Sequence, residues 1–396
     1  MKLLDRLFGR KRRKRSYEAS GVGRLLQNWT TAIKTPDEEL RTSLRNLRAR
    51  SRELAINNDY ARKFFEMLKT NVIGVNGIVL QSKAKRLDGT FDRQDNERIE
   101  KAFKRWGRKE LASVTGKLSW IDIQRVVIET LARDGEILVR KLNHKDNPYQ
   151  FTLQLIECDH LDEELNRDLR NGNTLRMGVE LNEWGRPVNY WLTEKHPGDS
   201  SAGVQLAGRN YNVVPASELL HLMMTNRPNQ SRGVPWMSTA MTRLHNLGQY
   251  EEAEVVASRV SACKMGFFKP DGGEGYVGDD IDDVGNTISE ASPASFELLP
   301  AGMDFQSFDP SHPVGNFAPF IKATLRGIAS GLGVSYNSLA SDLEGVNFSS
   351  IRTGVLEERQ HWKVIQAWMI EHFCQPIYVE WLRMALITKQ LAPILT

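Results

Sequence analysis

The chain has 396 residues, 40% of them hydrophobic and 26% charged, with a formal net charge of +4. This composition excludes a disordered or low-complexity chain, and the length excludes a small scaffold stapled by disulfides. No apolar run approaches the roughly 18 to 20 residues of a membrane span, and the opening MKLLDRLFGRKRRKR has neither a secretory apolar core nor a cleavage site, so the expectation is a cytoplasmic protein with no membrane contact.

The charge is unevenly spread. Residues 1–52 hold 15 Lys/Arg against 5 Asp/Glu, so a basic head precedes an acidic body. The run Arg10, Lys11, Arg12, Arg13, Lys14 and Arg15 carries almost nothing apolar to fold it. It reads as a solvated arm, or as a contact for nucleic acid, scaffold or another acidic partner through counterion release.

TPDEE at 35–39 predicts a helix start, with Thr35 as N-cap, Pro36 in the first turn and carboxylates facing the helix dipole. Leu40, Leu44, Leu47, Ser51 and Leu54 then share one face, while Arg41, Arg45, Arg48 and Arg52 share another. The arginine stripe reads as a solvated or intersubunit face rather than a DNA reader. A second helix runs from Tyr60 to Val72 and ends at Gly74, and SWIDIQRVVIETLARDGEILVRKL from Ser119 is a capped helix entering a strand through Asp134-Gly135. Residues 150–221 alternate as a β region with the turn EWGRP, giving a mixed α+β body.

From Pro235 the period is helical again as far as Gly266, a rod of roughly 27 residues or about 40 Å. An acidic excursion follows: Asp271 to Ile321 holds ten acidic residues and no Lys or Arg. A second helix reaches residue 334, then comes the soft loop VSYNSLASDLEGVNF, then a third long helix from Ser350 that Pro376 must kink or restart. No internal repeat is present.

Catalytic signatures are missing. There is no GxxxxGK[ST], HExxH, GxSxG or GxGxxG, and no (D/E)-x-K triplet of the kind a metal-dependent nuclease uses. Asp279, Asp280, Asp282 and Asp283 cluster without the spacing of a calcium loop. Cys158, Cys263 and Cys374 form no CxxC pair and read as buried apolar residues in a reducing compartment. His221, within LLHLMM, reads as a hydrogen-bonded core residue. Cys158, Asp159 and His160 read as successive strand residues whose side chains diverge. These observations point to neither an enzyme nor a cofactor.

Several segments resemble the lambda-type portal proteins of tailed bacteriophages: SRELAINNDYARKFFEMLKTNVIGVNGIVLQ (51–81), DGEILVRKL (134–142), LQLIECDHLD (153–162), VELNEWGRPVNYWL (179–192) and HPGD (196–199). The likeness continues in order through LLHLMMTNRPNQSRGVPWMSTAMTRLHNLGQYEEAE (219–254), GLGVSYNSLASDLEGVNFSSIRTGVLE (331–357) and FCQPIYVEWL (373–382). It implies an α+β portal fold and a structural protein: a ring, usually of twelve subunits, at one capsid vertex of the virion. Assembly would take place in the bacterial host cytoplasm.

Double-stranded DNA is packaged and ejected through such a ring. The implied partners are other copies of the chain, the terminase large subunit, a head-tail adaptor, and the major capsid and scaffold proteins. The implied divisions are an arm (1–35), a wing (36–234), a stem helix (235–262), a clip (263–313), a second stem helix (314–334), a tunnel loop (335–349), a long wing helix (350–388) and a truncated start of a crown (389–396). The last follows because family members usually continue past the position of Thr396, so a truncated gene, a defective prophage copy or a shorter form of the protein is expected.

On this reading Leu339, Asp342, Glu344, Asn347 and Phe348 are the candidate DNA contacts of the tunnel loop. Asp279, Asp280, Asp282 and Asp283 face the channel, the terminase or the adaptor, and Arg41, Arg45, Arg48 and Arg52 lie at a subunit interface. Physics favours a channel wall without basic residues, because tight phosphate contacts would become friction on sliding DNA. A ring closing head to tail also needs two unlike faces on each subunit. The rivals are a basic-armed nucleic-acid packaging or scaffold protein, which leaves the rods and the acidic excursion unexplained, and a phage DNA nuclease, which lacks the carboxylate and lysine grouping.

Overall fold

The structure is a computed structural model, and it describes residue 24 and residues 30–86, 88–143, 145–199, 210–262, 266–270, 280–281, 287–288, 303–307, 317–344 and 347–391. Helix α1 (Pro36–Arg41) begins as its sequence requires: the Thr35 hydroxyl accepts the Glu38 N–H at 3.3 Å, and three acidic residues fill the first turn. Helix α2 (Leu44–Asn57) turns Leu44, Ser51 and Leu54 inward. Asn58 both ends α2 and caps α3 (Asp59–Leu68), its side chain accepting the Ala61 N–H at 3.0 Å. A wide π turn over Lys69–Ile73 carries α3 on to Gly74.

Helix α4 (Arg93–Trp106) and the short α5 (Lys109–Ala112) lead to α6 (Trp120–Asp134). Ser119 and Asp122 form a reciprocal capping box at the start of α6, and Gly135, left-handed at φ +89°, ends it. Strand β1 (Glu136–Leu142) follows at once and becomes the centre of an antiparallel sheet, between β2 (Thr152–Ile156) and β8 (Leu219–Met223). The strands β3 (Arg167–Asp168), β4 (Thr174–Arg176), β5 (Val179–Leu181), β6 (Pro187–Thr193) and β7 (Tyr211–Pro215) make a second sheet, an antiparallel meander in chain order. A small core of Leu138, Leu161, Val179, Tyr190, Leu192, Val214 and Leu219 joins the two sheets.

Two rods leave this body: α7 (Met241–Ala262) and α8 (Phe317–Leu332). They are antiparallel, because Thr239 Oγ1 donates to the Gly331 carbonyl at 3.1 Å while Tyr250 stacks on Phe317, with ring centroids 5.7 Å apart. Between them in the chain lie two strand pairs, β9 (Gly266–Pro270) with β12 (Met303–Ser307), and β10 (Asp280–Ile281) with β11 (Thr287–Ile288). A single helical turn, α9 (Tyr336–Ala340), separates α8 from α10 (Phe348–Met369). A second π turn, Ile370–Cys374, relays α10 into α11 (Gln375–Ile387). Pro376 therefore restarts a helix, in a first turn where its missing N–H has no partner to lose.

The main core gathers α3, α4, α6, α10 and α11 around fully buried Trp106 and Trp381. Phe103 meets Trp381 edge-on at 4.9 Å, Trp106 stacks on Phe151 at 5.6 Å, and the Trp106 indole N–H donates to the Phe151 carbonyl at 2.9 Å. The fold is α+β, as the sequence pattern indicates.

Two expectations need correction. The rod expected from Pro235 begins at Met241, because residues 236–240 form turns in which the Trp236 N–H donates to the Ala132 carbonyl at 2.9 Å, closing the end of α6. Cys158, Asp159 and His160 are not strand residues but a 3-10 turn, so the Cys158 and Asp159 side chains approach to 4.0 Å instead of diverging.

Candidate channel loop and the buried joint behind it

The soft loop is half structured. The Ser335 hydroxyl accepts the Ser338 N–H at 3.2 Å and so caps α9. Both hydroxyls reach Glu358 Oε2 on α10, Ser335 at 3.2 Å and Ser338 at 2.7 Å. Leu339 is only 2% exposed and belongs to the main core, which overturns its assignment as a DNA contact: the i, i+3 spacing of Tyr336 and Leu339 seats one face of α9 on the body.

Asp342 is tied as well. Its carboxylate accepts the Tyr336 hydroxyl at 2.7 Å and pairs with Lys322 of α8 at 3.3 Å, and these bonds hold its pKa below the usual carboxylate range, the tyrosine bond contributing most. Lys322 and Arg326 lie over the Tyr336 ring at 5.8 and 5.6 Å. Beyond this latch the segment that projects is short: Leu343 is 65% exposed, and Glu344 and Asn347 are exposed too. Phe348 is the first residue of α10, and its side chain lies outside the described residues.

The stripe on α2 divides in two. Arg41 pairs with Glu38 at 3.0 Å on the surface, and Arg45 is exposed. Arg48 is 1% exposed, which takes it off a solvated or intersubunit face, while Arg52 is half-buried. Arg52 grips Asp134 at 2.9 and 3.1 Å and also binds Asp159. Arg48 pairs with Glu163 at 2.8 Å and with Glu136, the first residue of β1. The reason is the pair of buried carboxylates at the end of α6 and the start of β1, Asp134 and Glu136, which draw these long cationic side chains inward.

Glu136 is the hub. It is wholly buried and accepts from Arg48, from Arg232 Nε at 2.8 Å, from the Gly233 N–H at 2.7 Å and from His221 Nε2 at 2.8 Å. Burial alone would push its pKa up, but Arg232, Arg48 and His221 outweigh burial and hold it well below the carboxylate range. His221 is thus a hydrogen-bonded core residue, as its apolar setting predicts. Arg232, fully buried, donates further to the carbonyls of Leu161 (3.2 Å), Met177 (2.9 Å) and Cys158 (3.0 Å).

This network secures the chain just before α7. A Cβ on Gly135 would lie 2.6 Å from the Val234 nitrogen and 2.7 Å from the Gly233 carbonyl carbon, so the two backbones cross where only glycine fits. Helix α1 closes the joint from outside: Asp37 accepts the Ser231 N–H at 2.8 Å and its hydroxyl at 2.7 Å, and Glu39 pairs with Arg227 at 2.8 Å. Reasoning from sequence did not single out Glu136, Arg232 or Tyr336. A lone Arg-Gly before Pro235 was the available signal, since an arginine beside a crossing glycine has little room to reach solvent.

The remaining candidates are scattered. Asp280 stands in β10, while Asp279, Asp282, Asp283 and the basic run Arg10, Lys11, Arg12, Arg13, Lys14 and Arg15 lie outside the described residues. Among the described residues, Glu157, Asp159 and His196 bring three possible ligand atoms within 4.8 Å. They suit a metal poorly: the Asp159 oxygen is held by Arg52, and His196 Nδ1 accepts the Gly198 N–H at 3.0 Å, which puts the ring proton on Nε2, 3.1 Å from Glu157. Cys158 is buried, and burial pushes its thiol far above the ordinary range; the Cys374 thiol is pushed up to about 12 by burial.

The chain thus combines an α+β body, an antiparallel pair of rods and a latched loop where the second rod re-enters. Over residues 22–366 the chain matches the family model for the phage portal protein, lambda family, and it belongs to that family. It is 40% identical over 379 residues to a probable portal protein of Halomonas phage phiHAP-1, covering 94% of this chain and 73% of that one. Portal protein B of Escherichia phage lambda is 20% identical over 399 residues, covering 93% of this chain and 74% of its own length. Among solved structures, the neck of an empty gene transfer agent particle matches with a TM-score of 0.49 at 13% identity, covering 89% of this chain and 92% of that one. The chain is a capsid portal protein, a structural component of the virion.

Proposed function

We propose that the chain closes into a ring, of the twelve copies usual in its family, at one capsid vertex, with double-stranded DNA driven in by a terminase large subunit and released through a head-tail adaptor. In this reading residues 36–234 are the wing, α7 and α8 the stem, 263–313 the clip that meets terminase or adaptor, and 335–349 the tunnel loop. The observation that carries it is the loop at the foot of the rods. Leu343, Glu344 and Asn347 are exposed beside a latched base, and no Lys or Arg occurs from Gly327 to Ile351.

A segment without cations touches passing phosphates without releasing their counterions, so DNA slides past instead of binding. Asp342, held by Tyr336 and Lys322, keeps the root of the loop in place while its tip adapts to a duplex that lacks the ring's symmetry. Arg41 and Arg45, still exposed on the body, are available to a neighbouring subunit, where rim charges orient more than they bind.

The test is electron-microscope class averages of the purified protein, with a mass measurement on the same sample. Rings with a central hole wide enough for a duplex are expected. A sample that stays monomeric or dimeric at every concentration overturns the proposal.

A further inference from the structure

Helix α4 changes character along its length. Toward its start the cations are matched on the helix itself, Arg98 with Asp95 at 3.1 Å and Lys101 with Glu97 at 3.2 Å. From Lys101 to Lys117 the chain then holds six Lys/Arg against one acidic residue, Glu110, in a body that is otherwise acidic. Lys104, Arg105, Arg108, Lys109 and Lys117 are all exposed, and among the described residues none of the five forms an ion pair. Glu100, one turn before Lys104, is taken up by the Ser82 N–H at 2.8 Å.

A fixed frame gathers the five. The Trp120 N–H donates to the Gly107 carbonyl at 2.8 Å, which brings the turn carrying Lys117 beside the end of α4. Asn147 Nδ2 donates to the Leu111 carbonyl at 2.8 Å, the Thr152 hydroxyl to the Ala112 carbonyl at 3.2 Å, and the Val114 N–H to the Leu153 carbonyl at 3.0 Å. The backbone between Gly107 and Trp120 is thus pinned to the body while its charged side chains stand in water. The dipole of α4 accounts for Lys104 and Arg105 in its last turn, but not for Arg108, Lys109 and Lys117, which lie past its end.

We infer that this patch binds the sugar-phosphate backbone of double-stranded DNA, a holding contact separate from the cation-free loop past which DNA slides; the source of the duplex rests on the channel reading above. Cations gathered without carboxylates between them repel one another, and a polyanion relieves that repulsion while releasing its own condensed counterions. A protein partner would need large apolar anchors, and the patch offers almost none. Phe103 and Trp106 are buried, and Val114, 38% exposed, is the one large apolar side chain open to solvent between residues 101 and 117. Contacts of this kind reach phosphates rather than base edges, so binding is indifferent to sequence.

The experiment titrates a fluorescent duplex of about 30 base pairs with the full chain between about 50 and 200 mM salt, for the parent and for a variant carrying K104Q, R105Q, R108Q, K109Q and K117Q together. Each phosphate contact contributes about 0.9 to the slope of log affinity against log salt, so the variant should lose about 4 from that slope and about 10-fold or more in affinity at the lower salt. The basic run at residues 10–15 is present in both proteins, so the difference belongs to the patch. A charge-matched control, R50Q, R62Q, K63Q, K83Q and K195Q, removes five other exposed cations and should keep most of the slope. An unaltered slope in the patch variant, or an equal drop in the control, overturns the inference. In the parent, bound duplex should also slow acetylation of Lys104, Lys109 and Lys117 by an N-hydroxysuccinimide ester; acetylation at the free rate overturns it. Ring yield separates this inference from the ring reading. Rings at the parent yield in the patch variant, with the slope lost, support a DNA contact. Loss of rings in that variant makes the patch a subunit contact and overturns the DNA assignment alone, whereas a parent protein that forms no rings overturns the ring reading and leaves the salt slope to decide the patch.

Discussion

At the scale of single residues, Glu136 holds the most charge contacts among the described residues, and it is stable there only because two guanidinium groups and an imidazole face it. Breaking a buried pair on one side leaves an uncompensated charge, so Arg232→Met is expected to cost about 3–5 kcal/mol in urea unfolding followed by tryptophan fluorescence. Adding Glu136→Gln to that variant should recover part of the loss; a single variant within 1 kcal/mol of the parent would remove the network from the stability of the fold. The pH dependence has a fixed sign. The folded pKa of Glu136 lies below its ordinary 4.5, so its contribution is complete above about pH 4.5 and fades as the pH falls below that, and Arg232→Met should flatten this acid limb. The leucine face of α2 was legible in the sequence because an apolar side chain needs no particular partner to be buried. Arg48 was not, because its partner Glu136 stands 88 residues further on and periodicity carries no information about which surface covers a polar stripe.

At the scale of elements, capping chemistry was readable where it is local, and this holds for Thr35, for the Ser119 box and for Gly135. Boundaries failed where a distant element claims the backbone, as α6 does at Trp236. In the loop, glycine, serine and asparagine suggested softness throughout, yet Tyr336 and Leu339 lock α9 to α8 and the core. Tyr336→Phe removes the 2.7 Å bond to Asp342 and leaves the ring in place. The loss of one hydrogen bond, about 0.5–1.5 kcal/mol, should speed amide exchange in 341–344 by roughly 2- to 10-fold and leave α8 and α10 unchanged. Equal acceleration in α8 would mean that the latch supports the rod rather than the loop.

At the scale of the whole molecule, the crossing of Gly135 with Gly233 and Val234 decides whether the body and the rods are one mechanical unit. Residues 231–236, which lead into α7, are clasped by Asp37 from outside and by Glu136 from within. A flexible linker there would let the rods swing and blunt the channel's symmetry; a crossing that no side chain fits does not. Gly135→Ala places a Cβ within 2.7 Å of the opposing backbone in a left-handed conformation, so strain and overlap together should cost about 2–6 kcal/mol. Because the joint links both parts, amides of α6 and of the body-proximal half of α7 should lose protection together and by the same factor in exchange measurements. If α7 alone loosens while α6 keeps its protection, the rods are hinged on the body and the joint transmits no force.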